Sequence, residues 1–292
     1  MSDTALDTIV QQTWLEPLAE PLSAAVHGAY DAAGEAGRRL KNAAHGTWLG
    51  HPLHSVLTDV PLGAWMTSLV LDAAEGYTGD RGYGRAADVA IGFGLAGAAG
   101  AAVTGLTDWS ETDGDAKRLG LVHGLVNIAA TTLYATSLVL RRNGGRAAGR
   151  GFSFAGFLTV CAGAYIGGAL VYGKRIGVTH ADEPDTDAFT PALGSDELAE
   201  GHTRKVNVGG GEVMVTRQHG HVCGLAEHCS HLGGPLSEGT LKDGSIVCPW
   251  HGSEFSLEDG RVINGPATHP QPQFDTREDN GQIQLRPHRA PK

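Results

Sequence analysis

Cysteine is scarce in this chain of 292 residues, with four in all, and aromatic side chains make up only 6% of it. Cys161 stands in an apolar run and Cys223 in a predicted strand, so no disulfide framework is expected. Basic residues are outnumbered, 22 Lys and Arg against 32 Asp and Glu, for a net charge of -10. Nucleic-acid binding depends on neutralising phosphates with a basic stripe, and none is present, so nucleic acid is excluded as a partner. Also lacking are a strained-turn nucleophile motif, a phosphate-cradling Gly-x-Gly-x-x-Gly after a strand, and a facial triad for mononuclear iron. No self-contained catalytic site is recognised. Residues 1–12 carry acids without the basic start and apolar core of a secretory signal, so no such signal is expected there. Arg38-Arg39 ahead of Leu40-Lys41 reads as an ordinary topology signal rather than twin-arginine export.

What is present changes character near Lys174. Up to there the chain is rich in Ala, Gly, Leu and Val, and beyond it the chain is acidic and His-rich with short β patterns. Four stretches, Ser55–Leu71, Ala86–Leu106, Leu119–Leu140 and Phe152–Val171, come close to the roughly 20 apolar residues that cross a bilayer as a helix. Four spanning helices are expected, the first interrupted by Asp59 and Pro61. Two small-residue rows in the second, Gly92/Ala96/Gly100 and Gly97/Ala101/Gly105, predict close helix packing. Pro17 and Pro21 are read as breaks in a helical segment lying on the membrane surface. Predicted strands fall at Lys205–Val208, Glu212–Thr216, His221–Leu225, Ser245–Val247, Arg261–Ile263 and Gln282–Leu285, separated by turns such as Asp243-Gly244 and Asn280-Gly281. The expected architecture is α+β and multidomain: a surface helical segment (1–45), a four-helix transmembrane bundle (46–174), an acidic tether (175–200) that includes Asp182, Glu183, Asp185 and Asp187, and a small antiparallel β domain (201–292).

Inside the β region stand Cys229-Ser230-His231 and Cys248-Pro249-Trp250-His251. Two thiolates and two imidazoles suit either a tetrahedral zinc ion or a cluster in which the thiolates hold one iron and the imidazoles the other. The text around them, Cys-Ser-His-Leu-Gly-Gly-Pro-Leu and Cys-Pro-Trp-His-Gly-Ser-Glu-Phe, resembles the Rieske [2Fe-2S] family over about residues 200–287, with Gly265-Pro266-Ala267 similar to its proline loop. The resemblance implies a [2Fe-2S] cluster on Cys229, His231, Cys248 and His251, one-electron transfer, and a role as a component of an oxidoreductase system. Where high-potential members carry a disulfide between the cluster loops, this chain has Gly234 and Trp250; where they carry Tyr it has Phe255, while it keeps the hydroxyl of Ser253. With Pro266 these are the expected cluster-tuning positions, and one hydroxyl donor instead of two implies a potential inside the Rieske range of about -150 to +300 mV but away from its top.

The bundle region has a polar set of its own: His51, His54 and Asp59 at the first span, Asp108 at the end of the second, His123 and Asn127 in the third. Over about residues 46–142 this pattern resembles an uncharacterised four-span bacterial membrane domain, a family with no activity to carry over. Antiparallel spans bring the starts of the first and third helices to one face, so His54 and His123 are expected to be neighbours and are candidate ligands for a haem or another metal. The membrane face of the β domain carries Arg38, Arg39, Lys41, Lys117, Arg118, Lys174 and Arg175, the other Arg81, Arg85, Arg141, Arg142, Arg146 and Arg150. The counts nearly tie; the missing export signal and disulfide favour a cytoplasmic β domain on an integral protein of a bacterial cell membrane. Expected partners are membrane lipid and a redox partner protein or quinone. The alternatives are a cluster-based redox sensor, or a ferredoxin-like donor to a soluble oxygenase with the bundle only as anchor.

Overall fold

The computed structural model describes residues 4–182, 184 and 186–289. Residues 1–3, Glu183, Asp185 and 290–292, which belong to the expected surface segment, tether and β-domain tail, lie outside the described residues. The chain forms two compact units, Met1–Ala44 with Pro52–Ile176, and His45–His51 with Gly177–Lys292.

The first unit is helical. Helices α1 (Thr4–Val10), α2 (Glu16–Ala32) and α3 (Gly34–His45) precede four long ones: α4 (Leu53–Thr78), α5 (Arg81–Ser110), α6 (Gly114–Arg142) and α7 (Arg146–Gly168), the last continued by a π turn at Ala169–Gly173. The expected break at Pro21 does not occur: α2 starts at Glu16 with Pro17 in its first turn, where Pro is tolerated, and runs through Pro21 at the loss of one backbone bond. Ser23 donates to the Ser110 carbonyl (3.0 Å) and Tyr30 meets Thr107 (2.7 Å), so α2 is held to the end of α5 by polar contacts. Trp14, Leu18 and Leu22 remain exposed along the same stretch.

Three helices, at Arg81–Ser110, Gly114–Arg142 and Arg146–Gly173, are long and apolar enough to cross a membrane. The expected fourth, α4, does not join them on length and composition: its 26 residues carry Asp59, Asp72 and Glu75. It also runs past the predicted end at Leu71 to Gly79, whose left-handed φ of 75° lets its N–H close the helix on Glu75.

The long helices form two hairpins, α4–α5 and α6–α7, whose inner contacts repeat. In α4–α5, His54 Nδ1 lies 2.8 Å from the Ala101 carbonyl and Trp65 lies over Gly94; in α6–α7, His123 Nδ1 lies 2.9 Å from the Gly163 carbonyl and Tyr134 lies over Gly156. His54/His123, Trp65/Tyr134 and Asp72/Arg141 are each 69 residues apart, and Ala101/Gly163, Gly94/Gly156 and Asp88/Arg150 each 62. The run Thr-Ser-Leu-Val-Leu occurs in register in both, at Thr67–Leu71 and Thr136–Leu140. The α4–α5 hairpin is therefore repeated as α6–α7. Equivalent residues meet across the seam between the hairpins. Trp65 stacks on Tyr134 at 4.1 Å and 10°, and Asp72 accepts from Arg141 (2.7 Å), whose side chain is fully buried. Arg146 and Arg150 bind Glu75, and Arg146 also binds Asp88 (3.1 Å). Three arginines expected to be loop charges thus belong to a network inside one end of the bundle. Of the two predicted small-residue rows, Gly97/Ala101/Gly105 faces α4, with Gly97 against Val60 and Gly105 against His54; in the other, Gly100 touches Leu57 of α4 and Gly92 meets nothing.

The second unit is antiparallel β. One sheet has the order β1 (Thr190–Gly194), β10 (Gln282–Pro287), β9 (Gln273–Asp279), β4 (His221–Ala226), β3 (Gly211–Gln218), β2 (Thr203–Val208). The other runs β5 (Thr240–Lys242), β6 (Ser245–Val247), β7 (Glu254–Ser256), β8 (Val262–Asn264). Strand β1 arises inside the stretch expected as tether and pairs with β10. The sequence reading also missed β5, β7 and β9; two have only three residues, and β9 ends Thr-Arg-Glu-Asp, without the apolar alternation that marks a strand. Met214, Leu225, Leu236, Ile246 and Phe255 form a buried cluster together with Cys229 and Cys248.

Candidate metal centre

The two loops that carry the Cys and His residues follow β4 and β6 and share one backbone design. Cys229 N–H donates to the Gly234 carbonyl (2.9 Å) while the Cys229 carbonyl accepts from Gly233 (2.8 Å). Cys248 N–H donates to the Ser253 carbonyl (2.8 Å) while the Cys248 carbonyl accepts from Gly252 (3.2 Å). Gly233 and Gly252 have φ of 80° and 73°, values that favour glycine, and these turns aim both sulfurs into the core. Gln271 braces the first loop, accepting from Ser230 N–H (2.9 Å) and donating to the carbonyls of Ala226 and His228 (2.7 Å each).

Both thiols are buried, Cys229 1% and Cys248 3% exposed, and hydrogen-bonded to each other. Cys248 is held below the ordinary thiol range by that bond and by the N–H groups of Trp250 and His251, against the effect of burial. Its partner is pushed up by the same bond and by burial, although the His231 N–H and the Ser253 hydroxyl both favour its thiolate. The imidazoles of His231 and His251 stand edge to face, 5.0 Å between centres, and both side chains are partly exposed. Among the described residues no three His, Cys, Asp or Glu side chains converge on one ion position. Thiols meet thiols and imidazoles meet imidazoles. This donor set fits two metal positions, an inner one on sulfur and an outer one on nitrogen, better than one tetrahedral ion.

The tuning positions surround these donors. A methyl group at Gly234 would lie 2.7 Å from Cys248 Sγ and 3.1 Å from the Trp250 ring, so positions 234 and 250 are neighbours with no space for a larger side chain at 234. Ser253 is buried and its Oγ accepts from Ala267 N–H (3.0 Å), in the loop that contains buried Pro266. Phe255 is fully buried in the cluster that includes both cysteines, and Trp250 is 57% exposed. Cys223 lies on β4 outside both loops, and burial raises its thiol pKa.

The polar set of the helical region divides. His54 and His123 come together with ring centres 6.5 Å apart, and Asn127 lies against His123, its Nδ2 3.1 Å from Nε2. Asp59 is exposed on the outer face of α4, and Asp108 is half-buried at the end of α5. His51 belongs to the second unit, where its ring lies 5.7 Å from that of His269; burial and then His51 hold His269 below the usual histidine range. Trp65, Asp72 and Tyr134 were not among the expected site residues, and Arg141 was expected only as a loop charge. The repeated Thr-Ser-Leu-Val-Leu would have found them, because it places Trp65 over Tyr134 and Asp72 over Arg141.

Comparison with known proteins gives two families. The Rieske [2Fe-2S] domain matches residues 188–275, and "Predicted membrane protein (DUF2231)" matches residues 50–180. Ferredoxin CarAc of Metapseudomonas resinovorans is 32% identical over 88 residues, 30% of this chain and 82% of the relative. The 3-phenylpropionate/cinnamic acid dioxygenase ferredoxin subunit of Photorhabdus laumondii is 31% identical over 91 residues, 31% of this chain and 86% of the relative. Apoptosis-inducing factor 3 of Mus musculus is 30% identical over 90 residues, but the chain spans only 15% of its length. Among solved structures, the ferredoxin of carbazole 1,9a-dioxygenase from Nocardioides aromaticivorans IC177 aligns over 35% of this chain and 99% of its own at 27% identity, with a TM-score of 0.33.

Proposed function

The chain belongs to the Rieske [2Fe-2S] domain family, and we propose that it is a membrane-bound one-electron carrier whose Cys229 and Cys248 hold one iron and His231 and His251 the other. The observation that carries this reading is the split donor set, with two buried thiols in contact and two partly exposed imidazoles 5.0 Å apart. When bound, the cluster supplies a one-electron couple whose potential is raised by imidazole ligation. The N–H groups of His231, Trp250 and His251 and the hydroxyl of Ser253 point at the sulfurs and stabilise the extra negative charge of reduction. The imidazole edges and exposed Trp250 offer a redox partner, protein or quinone, a short path to the cluster.

A second reading, donation to a soluble oxygenase, is favoured by the ferredoxin relatives, one of which is named as a subunit of a dioxygenase. The two readings share the same cluster chemistry. We further propose that α4 is a fourth span, because it is the repeat equivalent of α6, and that the β domain faces the cytoplasm of a bacterial cell. We divide the chain into a surface segment (1–45), a bundle (46–174), a tether (175–200) that lends residues 190–194 to the sheet, and the β domain (201–292).

The test is metal analysis of anaerobically purified protein. Non-haem iron and acid-labile sulfide in equal amounts are expected, lost in Cys229→Ala and kept in Cys223→Ala. Stoichiometric zinc without sulfide would overturn the assignment.

A further inference from the structure

The repeated hairpins place a second set of metal donors inside the helical unit. His54 and His123 occupy equivalent positions of the repeat and face each other across the seam, as residues on a two-fold axis do. Each ring is oriented by its own hairpin: Nδ1 of His54 lies 2.8 Å from the Ala101 carbonyl and Nδ1 of His123 2.9 Å from the Gly163 carbonyl. With Nδ1–H donating to a backbone carbonyl, Nε2 carries the lone pair, the arrangement that fixes the tautomer of a metal-binding histidine. One turn further along, Gly105 and Gly167 leave space for the rings; a methyl group there would come within 2.6 Å of His54 and 3.0 Å of His123.

The rings stand edge to face, and their spacing limits what can lie between them. A direct N–H···N bond of about 2.9 Å would bring two imidazole centres to about 5 Å. A metal ion about 2.0–2.1 Å from one nitrogen of each ring sets the centres about 6.3 Å apart when the rings stand on opposite sides of it, and about 5 Å apart at a tetrahedral angle. The observed separation is 6.5 Å, with the ring planes at 89°. Among the described residues no third His, Cys, Asp or Glu joins the pair. A bare divalent ion would therefore have two neutral protein ligands and no counter-charge among apolar helices, which is costly. An iron tetrapyrrole brings its own equatorial nitrogens and compensating charge and needs only two axial ligands, one on each face. We propose that His54 and His123 are the axial ligands of a haem held between the two hairpins. Asn127, whose amide lies 3.1 Å from His123 Nε2, gives way on ligation and keeps its bond to the His123 carbonyl (2.9 Å).

The experiment uses the full chain, produced with haem supplied and purified in detergent. Haem is read by the pyridine haemochrome and the cluster by acid-labile sulfide, so failure of one assignment is separable from failure of the other. Haem stoichiometric with the chain is expected, lost in His54→Ala and His123→Ala while sulfide is unchanged. His123→Met is the control for a bundle that fails to fold, since thioether can replace imidazole on haem iron: it should retain haem with a shifted spectrum. Haem missing from chain that holds its full sulfide, or haem with an unaltered spectrum in all three variants, would overturn the proposal.

Discussion

Ser253 shows how much one side chain adds to a cluster site. Its oxygen accepts from Ala267 N–H, which leaves its own proton for the Cys229 sulfur. A hydrogen bond of about 1–2 kcal/mol to the reduced state is worth on the order of 50–100 mV for a one-electron couple, so Ser253→Ala should lower the potential by that much. Phe255→Tyr is expected to raise it, since the ring is buried in the same cluster as both cysteines and an added hydroxyl would serve as a second donor to sulfur. Protein-film voltammetry checks both, and two unshifted variants would refute this placement. Gly234→Ala should cost cluster content, measured as labile sulfide per chain, because its methyl group has Cys248 Sγ 2.7 Å away. The donor loops were legible in the sequence because their chemistry is local: Cys and His two or three residues apart, followed by turn glycines. The brace from Gln271 was not, since nothing in Pro-Gln-Pro announces a bond to a loop 41 residues earlier.

At the scale of elements, the charged end of the bundle depends on pairing between hairpins. Arg141 is fully buried and Asp72 nearly so, and removing one partner of such a pair leaves a charge with no water around it. Arg141→Ala should destabilise the detergent-solubilised protein by about 3–5 kcal/mol, and the double variant Asp72→Asn/Arg141→Gln by less, because it leaves no charge stranded. Thermal unfolding of the two variants checks the order. Equal losses would mean that the pair contributes little beyond its packing. Hydropathy marked the long helices well but ended the first at Leu71, because Asp72 looks like the edge of a membrane and only its repeat partner Arg141 shows otherwise. The strands of the β unit were legible where apolar alternation is strong, as in β3, and illegible where three residues suffice, as in β5 and β7.

For the whole molecule the open count is the number of crossings. If α4 spans, a cysteine placed at Leu49 and one placed at Gly79 should react with an impermeant maleimide from opposite sides of the membrane, and the β domain should share the side of Leu49. Labelling of positions 49 and 79 from one side would reduce the spans to the three that length and composition support. The charge pattern of the repeat also bears on how the protein is made. The first hairpin holds Asp72, Glu75 and Asp88, and their partners Arg141, Arg146 and Arg150 all belong to the second. If α4 enters the bilayer, the acidic half leaves the ribosome first and waits there, without these partners, for the basic half to follow. Neither half can complete itself by pairing with a copy of its own kind, because like charges would then meet at the seam. A chain truncated after α5 should therefore be a substrate for membrane quality control, rescued when the missing half is supplied from a second gene.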